Sequence, residues 1–162
     1  MVKTIDGISV NYIDEGEGEI VLLLHGWGAN ITLYRSVIDT LKQRRRVIAL
    51  DMPGFGKTPE PPAPWCVDDY VDFVLKFIAS FSITRLSVVV HSFGGRVFFK
   101  MNARDNLPFT VERAVLIDSA GILPKKSFGQ KVSLRCYKIG RAFMSTRVMH
   151  FLYPDAVEDM RR

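Results

Sequence analysis

The sequence predicts an α/β fold, a mostly parallel sheet flanked by helices and entered through an antiparallel hairpin. Three observations lead there. Apolar, β-branched runs of strand length ("EIVLLL", "RVIAL", "LSVVV", "AVLI") recur along the chain, and such near-continuous apolarity marks strands covered on both faces. Segments with apolar residues at helical spacing separate these runs, the alternation that builds a parallel sheet through right-handed crossovers. Three of the runs end in unusual loops, "HGWG", "DMPGFG" and "HSFGG", at the strand carboxyl ends where this class binds ligands.

Each element follows from its residues. "VKTIDGISVNYIDEGEG" reads as two short strands joined at Asp6-Gly7, a pair suited to a tight hairpin turn. "EIVLLLHG" is the first interior strand. Ile31 to Gln43 has helical spacing, with Tyr34, Val37, Ile38 and Leu41 along one side. "RVIALD" is the next strand and runs into the Gly- and Pro-rich loop "DMPGFGKTPEPPAP". A helix is predicted from Val67 to about Phe81, with Asp68 and Asp69 in its first turn, where carboxylates oppose the positive helix end. "LSVVVHS" is a third buried strand, "FGGRVFFKMNA" begins a helix, and "VERAVLIDS" is a fourth buried strand. Beyond a linker, "SAGILPKKSFG", the stretch from Lys131 to about Leu152 fits one or two helices.

Composition narrows the function. With 48% hydrophobic and 24% charged residues in 162, the chain is an ordinary globular protein rather than a disordered one or a disulfide scaffold. Its two cysteines, Cys66 and Cys136, form no CxxC unit and supply too few ligands for structural zinc, so free thiols in a reducing, cytoplasmic compartment are the simpler expectation. No basic n-region followed by an apolar stretch opens the sequence and no apolar run approaches membrane-spanning length, so neither export nor insertion is expected. The net charge of +5 is uneven: residues 1–124 carry 13 basic against 14 acidic side chains, and 125–162 carry 9 against 3. A different structural unit is therefore expected to start near Gly121.

Ser92 is the residue around which chemistry can be argued. A nucleophilic serine needs a base, donors for the developing oxyanion, and a backbone that holds its oxygen in the open. "VVVHSFGG" supplies a sharp turn from strand to helix, with Gly94 and Gly95 leaving room for close packing and the helix start placing N–H groups near the hydroxyl. The Phe93 N–H is a candidate oxyanion donor, and the Trp27 N–H, in the loop after "LLLHG", is the second.

These motifs together resemble the α/β-hydrolase family over nearly the whole chain. "VLLLHGWG" is similar to its strand and oxyanion loop, "DMPGFGKT" to its conserved turn, "VVVHSFGG" to its nucleophile elbow, and "AVLIDSAG" to the strand that precedes an inserted helical cap. The resemblance implies residues 1–124 as a partial hydrolase core and 125–162 as the start of the cap. It also implies Ser92 as nucleophile, Phe93 and Trp27 as main-chain oxyanion donors, and a small, cofactor-free, metal-free hydrolase cleaving esters or the carbon–carbon bonds of ring-cleavage products.

Two positions depart from the pattern. Val90 stands where G-x-S-x-G has glycine, and its side chain is expected to crowd the turn. The family's triad runs serine, acid, histidine, yet the histidines here are His25, His91 and His150, none at the matching place. Structural bonding is the expectation for His25, support of the elbow for His91, and ordinary packing for His150. Asp118, closing "AVLID", is the candidate triad acid, with turn or hinge structure the weightier reading. Asp51 is expected to fix its own turn. With the base unaccounted for, the sheet is expected to continue past this chain, which by itself is expected to turn over little substrate. Its last strand would then leave an apolar edge open to self-association. The alternative is a non-catalytic binding module built on the same frame.

Other chemistries fit less well. Gly56-Lys57-Thr58 ends like a phosphate-binding loop, but Asp51 stands where its first glycine belongs. No dinucleotide fingerprint follows a strand. The basic residues after 125 read as the solvated face of a lid rather than a nucleic-acid or membrane surface, leaving a small-molecule substrate as the expected partner. Trp65 is a candidate for the pocket entrance or for packing on the nearby prolines.

Overall fold

The structure is a computed structural model that describes residues 1–121. Six strands form one sheet: β1 (Val2–Ile5), β2 (Ile8–Glu15), β3 (Ile20–Leu24), β4 (Arg46–Leu50), β5 (Arg85–His91) and β6 (Thr110–Ile117), in the order β1-β2-β4-β3-β5-β6. The helices are α1 (Arg35–Leu41), α2 (Val67–Ala79) and α3 (Phe93–Asn102). β1 pairs with β2 and β2 with β4 in antiparallel fashion, and the pairs β3/β4, β3/β5 and β5/β6 are parallel. The predicted fold class is the observed one. The expected cap, its helices, His150 and Cys136 all lie outside the described residues.

The hairpin turns where the sequence places it. Asp6 and Gly7 both have positive φ, 48° and 80°, the combination a two-residue type I′ turn requires. The parallel strands β3, β4 and β5 are largely buried on both faces, as their apolar runs demand; β6, expected from its sequence to be a fourth buried strand, is instead exposed along most of its length, because no element among the described residues packs over it. On β3, Leu22 and Leu24 join the core that includes α2 and α3, whereas Val21 and Leu23 join the smaller core with Ile31 and Ile38. α2 presents Tyr70, Phe73, Val74 and Phe77 to the larger core, and Tyr12 stacks edge-on against Phe77 at 5.6 Å.

Two details differ from the sequence expectation. The helix expected over Ile31–Gln43 divides into a 3₁₀ turn, Ile31–Tyr34, and α1. The cause is local competition: Asn30 caps the Thr32 N–H at 2.9 Å and the Asp51 carboxylate takes the Ile31 N–H at 2.7 Å, which tightens the first turn. α2 stops at Ala79, earlier than Phe81, and Ser82 turns the chain with φ 53°. At the far side of the sheet, β6 is the edge among the described residues, and it exposes Val115 (54%), Leu116 (39%) and Ile117 (40%).

Phe77 is fully buried between sheet and helices, so Phe77→Ala is expected to lower the unfolding free energy by about 3–5 kcal/mol, measured by urea denaturation.

Candidate active site

The sharp turn after β5 is formed as its residues require. Ser92 has φ 45° and ψ −110°, a region that costs a non-glycine residue of order 1–3 kcal/mol unless its surroundings enforce it. The enforcement is visible. The Ser92 N–H donates to the Ile117 carbonyl at 3.1 Å, and the Ser92 carbonyl accepts from Gly95 N–H at 3.0 Å and Ala120 N–H at 2.9 Å. The end of β6 and the start of α3 therefore grip both sides of the serine's backbone. Its side chain stays half-exposed.

The two glycines after the serine are close-approach positions. A Cβ on Gly94 would run into the main-chain oxygens of Leu24 and His25, and one on Gly95 would lie 2.5 Å from Ser119 Cβ. Val90 does not crowd the turn as expected from the missing glycine. It remains in the parallel ladder opposite Leu24 and Leu116, fully buried, and the positive φ falls two residues later.

The loop after β3 lies against this turn. A Cβ on Gly26 would sit 3.2 Å from Ser92 Cβ and 2.7 Å from His91 Nδ1, so only a glycine lets the loop pass so close. Trp27 follows, its ring 5.2 Å from the Phe93 ring. The structure thus brings Trp27, Ser92 and Phe93 together. Phe93 is the first residue of α3, where an N–H has no partner within the helix.

Neither described histidine is held for proton transfer with Ser92. His25 is fully buried. Its Nε2 accepts from Met52 N–H at 2.9 Å, which leaves the proton on Nδ1, 2.7 Å from the Gly26 carbonyl. This imidazole ties the loops after β3 and β4 together, and burial pushes its pKa below the ordinary 6.5, against smaller opposing effects of the Gly26 carbonyl and Asp51. His91 Nδ1 shares a 2.8 Å hydrogen bond with the Tyr34 hydroxyl, a partner that sequence spacing did not reveal. Asp118 is exposed, with φ 41°, and follows the residue whose carbonyl anchors the Ser92 N–H. Asp51 fixes its turn as expected. Its carboxylate accepts from Ile31 N–H (2.7 Å), Asn11 Nδ2 (2.7 Å) and Lys57 N–H (2.9 Å).

Beside the turn is a cleft of about 480 Å³ lined by Trp27, Trp65, Cys66, Val67, Tyr70, Phe93 and Arg96. Tyr70 stacks edge-on with both Phe93 and Trp65, each at 5.2 Å, and its hydroxyl donates to the Pro53 carbonyl at 3.1 Å. Trp65 thus lines the cleft and packs on Tyr70 and Phe73. Cys66 is an exposed, free thiol. The sequence reading missed Tyr70 and Arg96. Arg96 was within reach of it, since it stands four residues after Ser92 on the same helix face. No helix among the described residues is long and apolar enough to cross a membrane, and no cluster of potential ligands among them could hold a metal ion.

The chain belongs to the α/β-hydrolase fold family, whose sequence model matches residues 19–137. It is similar to 2-hydroxy-6-oxo-2,4-heptadienoate hydrolase of Pseudomonas putida, with 35% identity over 120 residues covering 72% of this chain and 43% of that protein. Among solved structures, a meta-cleavage product hydrolase from Pseudomonas fluorescens IP01 has a TM-score of 0.66 at 33% identity, over 76% of this chain and 46% of the other. A bacterial membrane phospholipase A has a TM-score of 0.71 at 31% identity, over 78% of this chain and 41% of that one. The chain thus spans less than half the length of these relatives.

Two outcomes test the site's construction. Gly94→Ala is expected to cost about 1–3 kcal/mol, as overpacking against main-chain oxygens does, measured by thermal and urea unfolding. His25 has a depressed pKa in the folded state, so its contribution to stability is whole above pH 6.5 and is lost as pH falls below that value. Urea melts from pH 7.5 to 5.5 should show wild-type stability falling more steeply than that of His25→Gln.

Proposed function

We propose that Ser92 is the nucleophile of a hydrolase acting at a carbonyl carbon, with the N–H groups of Trp27 and Phe93 as oxyanion donors. The observation that carries this reading is the strained Ser92 backbone at the start of α3, beneath the Gly26-Trp27 loop. Backbone strain of this kind clusters at functional sites, where the surrounding structure enforces it.

In this mechanism Ser92 Oγ attacks the substrate carbonyl carbon, and its proton passes to a base. The carbonyl electron pair moves onto oxygen, where two N–H donors stabilise the charge; each is worth about 3–4 kcal/mol in the transition state. The oxyanion then re-forms the carbonyl, expels the leaving group with a proton from the base, and leaves an acyl-serine that water hydrolyses. Helix α3 contributes through its positive end. Both an ester and a carbon–carbon bond next to a carbonyl open by this route. The phospholipase relative favours the first bond type and the oxo-dienoate hydrolase the second. Asp118 is the acid candidate of the triad. His25 and His91 are engaged elsewhere, so with the described residues alone both acylation and deacylation are expected to be slow, and an activated ester is needed to reveal the first.

p-Nitrophenyl acetate provides the test. The expected result is a burst of no more than one equivalent of nitrophenolate, an acetyl group on the peptide containing Ser92, slow steady turnover, and no burst in Ser92→Ala. Acetylation elsewhere, or an equal burst in Ser92→Ala, would overturn the assignment. Sustained, Ser92-dependent turnover would instead assign the base to this chain and bring His150 and Asp118 forward.

A second reading rests on the exposed apolar side chains of β6. A parallel edge with Val115, Leu116 and Ile117 uncovered is a template for pairing, so the chain would act as an interaction module through that strand. Sedimentation should then show concentration-dependent self-association that Val115→Lys reduces; a strictly monomeric wild type removes this reading.

A further inference from the structure

We infer that Arg96 is a substrate-anchoring residue that binds a carboxylate at the end of an acyl substrate whose apolar body fills the aromatic cleft. The inference rests on the hydrolase reading above for its orientation, but its chemistry comes from the cleft itself.

Helix α3 and the turn after it carry a basic row at four-residue spacing: Arg96, Lys100 and Arg104. The last two are paired with α2. Lys100 Nζ lies 2.6 Å from Asp68 Oδ2, and Arg104 bonds Asp72 and lies 3.7 Å from Asp68. The two helices therefore run in step, residue 100 beside 68 and residue 104 beside 72. One turn back from Lys100 this pairing runs out, because α2 begins only at Val67, and Arg96 instead shares the cleft wall with Trp65, Cys66 and Val67, none of which is a carboxylate. Asp69, the remaining acid in the first half of α2, accepts from the Cys66 N–H at 2.6 Å, and hydrogen bonds from the Cys66 thiol and then its N–H hold its carboxyl below the usual range. Among the described residues Arg96 has no ion pair.

Among the described residues Arg96 is also the one charged side chain lining the cleft; Trp27, Trp65, Val67, Tyr70 and Phe93 make most of the wall. A guanidinium at the rim of an apolar, aromatic cleft, without an internal carboxylate, is suited to bidentate recognition of a planar anion. Its place on the helix sets the spacing. Ser92 and Arg96 are separated by one helical turn, about 6 Å of rise, so a substrate held at both ends has its reacting carbonyl over Ser92 and its carboxylate displaced along α3. An ester or ketone without a remote anion would occupy the same walls but lose the anchor.

The two tryptophans of the chain, Trp27 and Trp65, both line the cleft, so intrinsic fluorescence reports binding there. Benzoate and its neutral isostere benzamide are the probes, titrated against the chain. Benzoate is expected to bind roughly tenfold more tightly than benzamide, with the preference shrinking as salt is raised. Arg96→Gln should abolish the preference while leaving benzamide affinity unchanged, and Arg96→Lys should restore part of it. No response to benzoate up to its solubility limit, equal affinities for the two probes, or a preference that survives Arg96→Gln would overturn the anchor; so would equal loss of both probes in Arg96→Gln. Ser92→Ala separates this from the catalytic assignment. Arg96-dependent preference retained in Ser92→Ala, together with failed acetylation of Ser92, would leave the anchor standing and remove the nucleophile; Ser92 acetylation without the preference would do the reverse.

Discussion

The organisation of the site depends on one backbone conformation, the positive φ of Ser92. Left alone, a serine avoids that region because its Cβ meets its own carbonyl oxygen. Here the alternative is worse, since relaxing Ser92 would break the bonds from its N–H to Ile117 and from Ala120 to its carbonyl, and would swing α3 off the sheet. The strain is local and the restraint is distributed over β5, β6 and α3. That is why the hydroxyl can be held at a bend without being buried.

The same economy governs the loops around it. Gly26, Gly94 and Gly95 stand where a Cβ would collide with neighbouring backbone or with Ser92, His91 and Ser119. They set how closely the β3 loop and the helix approach the serine. Buried polar groups then lock the loops. His25 joins the β3 and β4 loops through both ring nitrogens, and Asp51 gathers three donors from three separate segments. Each is satisfied, so neither is available for proton transfer. A buried polar network that is complete makes a rigid support for the half-exposed residues at the rim.

Much of this was legible in the residues. The hairpin at Asp6-Gly7, the burial of β3, β4 and β5 and the strand-to-helix bend at Ser92 all follow from patterns within a few positions, and local patterns carry local structure; β6 has the same apolar pattern but lies exposed, since burial depends on what packs over a strand. The structural reading of Asp51 and His25 was reachable because short polar residues at strand ends bond the backbone around them. What was not legible has a common cause. The Tyr34–His91 bond spans 57 residues, the split of the helix after Ile31 depends on Asp51 twenty residues on, and the harmlessness of Val90 depends on its neighbours Leu24 and Leu116.

The amino-acid order by itself determined the fold class, the strand ends that carry the loops, and which serine sits at the bend, because periodicity and glycine placement act over one or two turns of chain. Only the tertiary structure decided which polar groups are already spent and which stay open. Asp68 and Asp72 neutralise Lys100 and Arg104 but leave Arg96 facing an aromatic cleft, a distinction created by how two helices align rather than by either helix alone. Charge in a sequence is a count; whether a charge has a partner is a matter of distance.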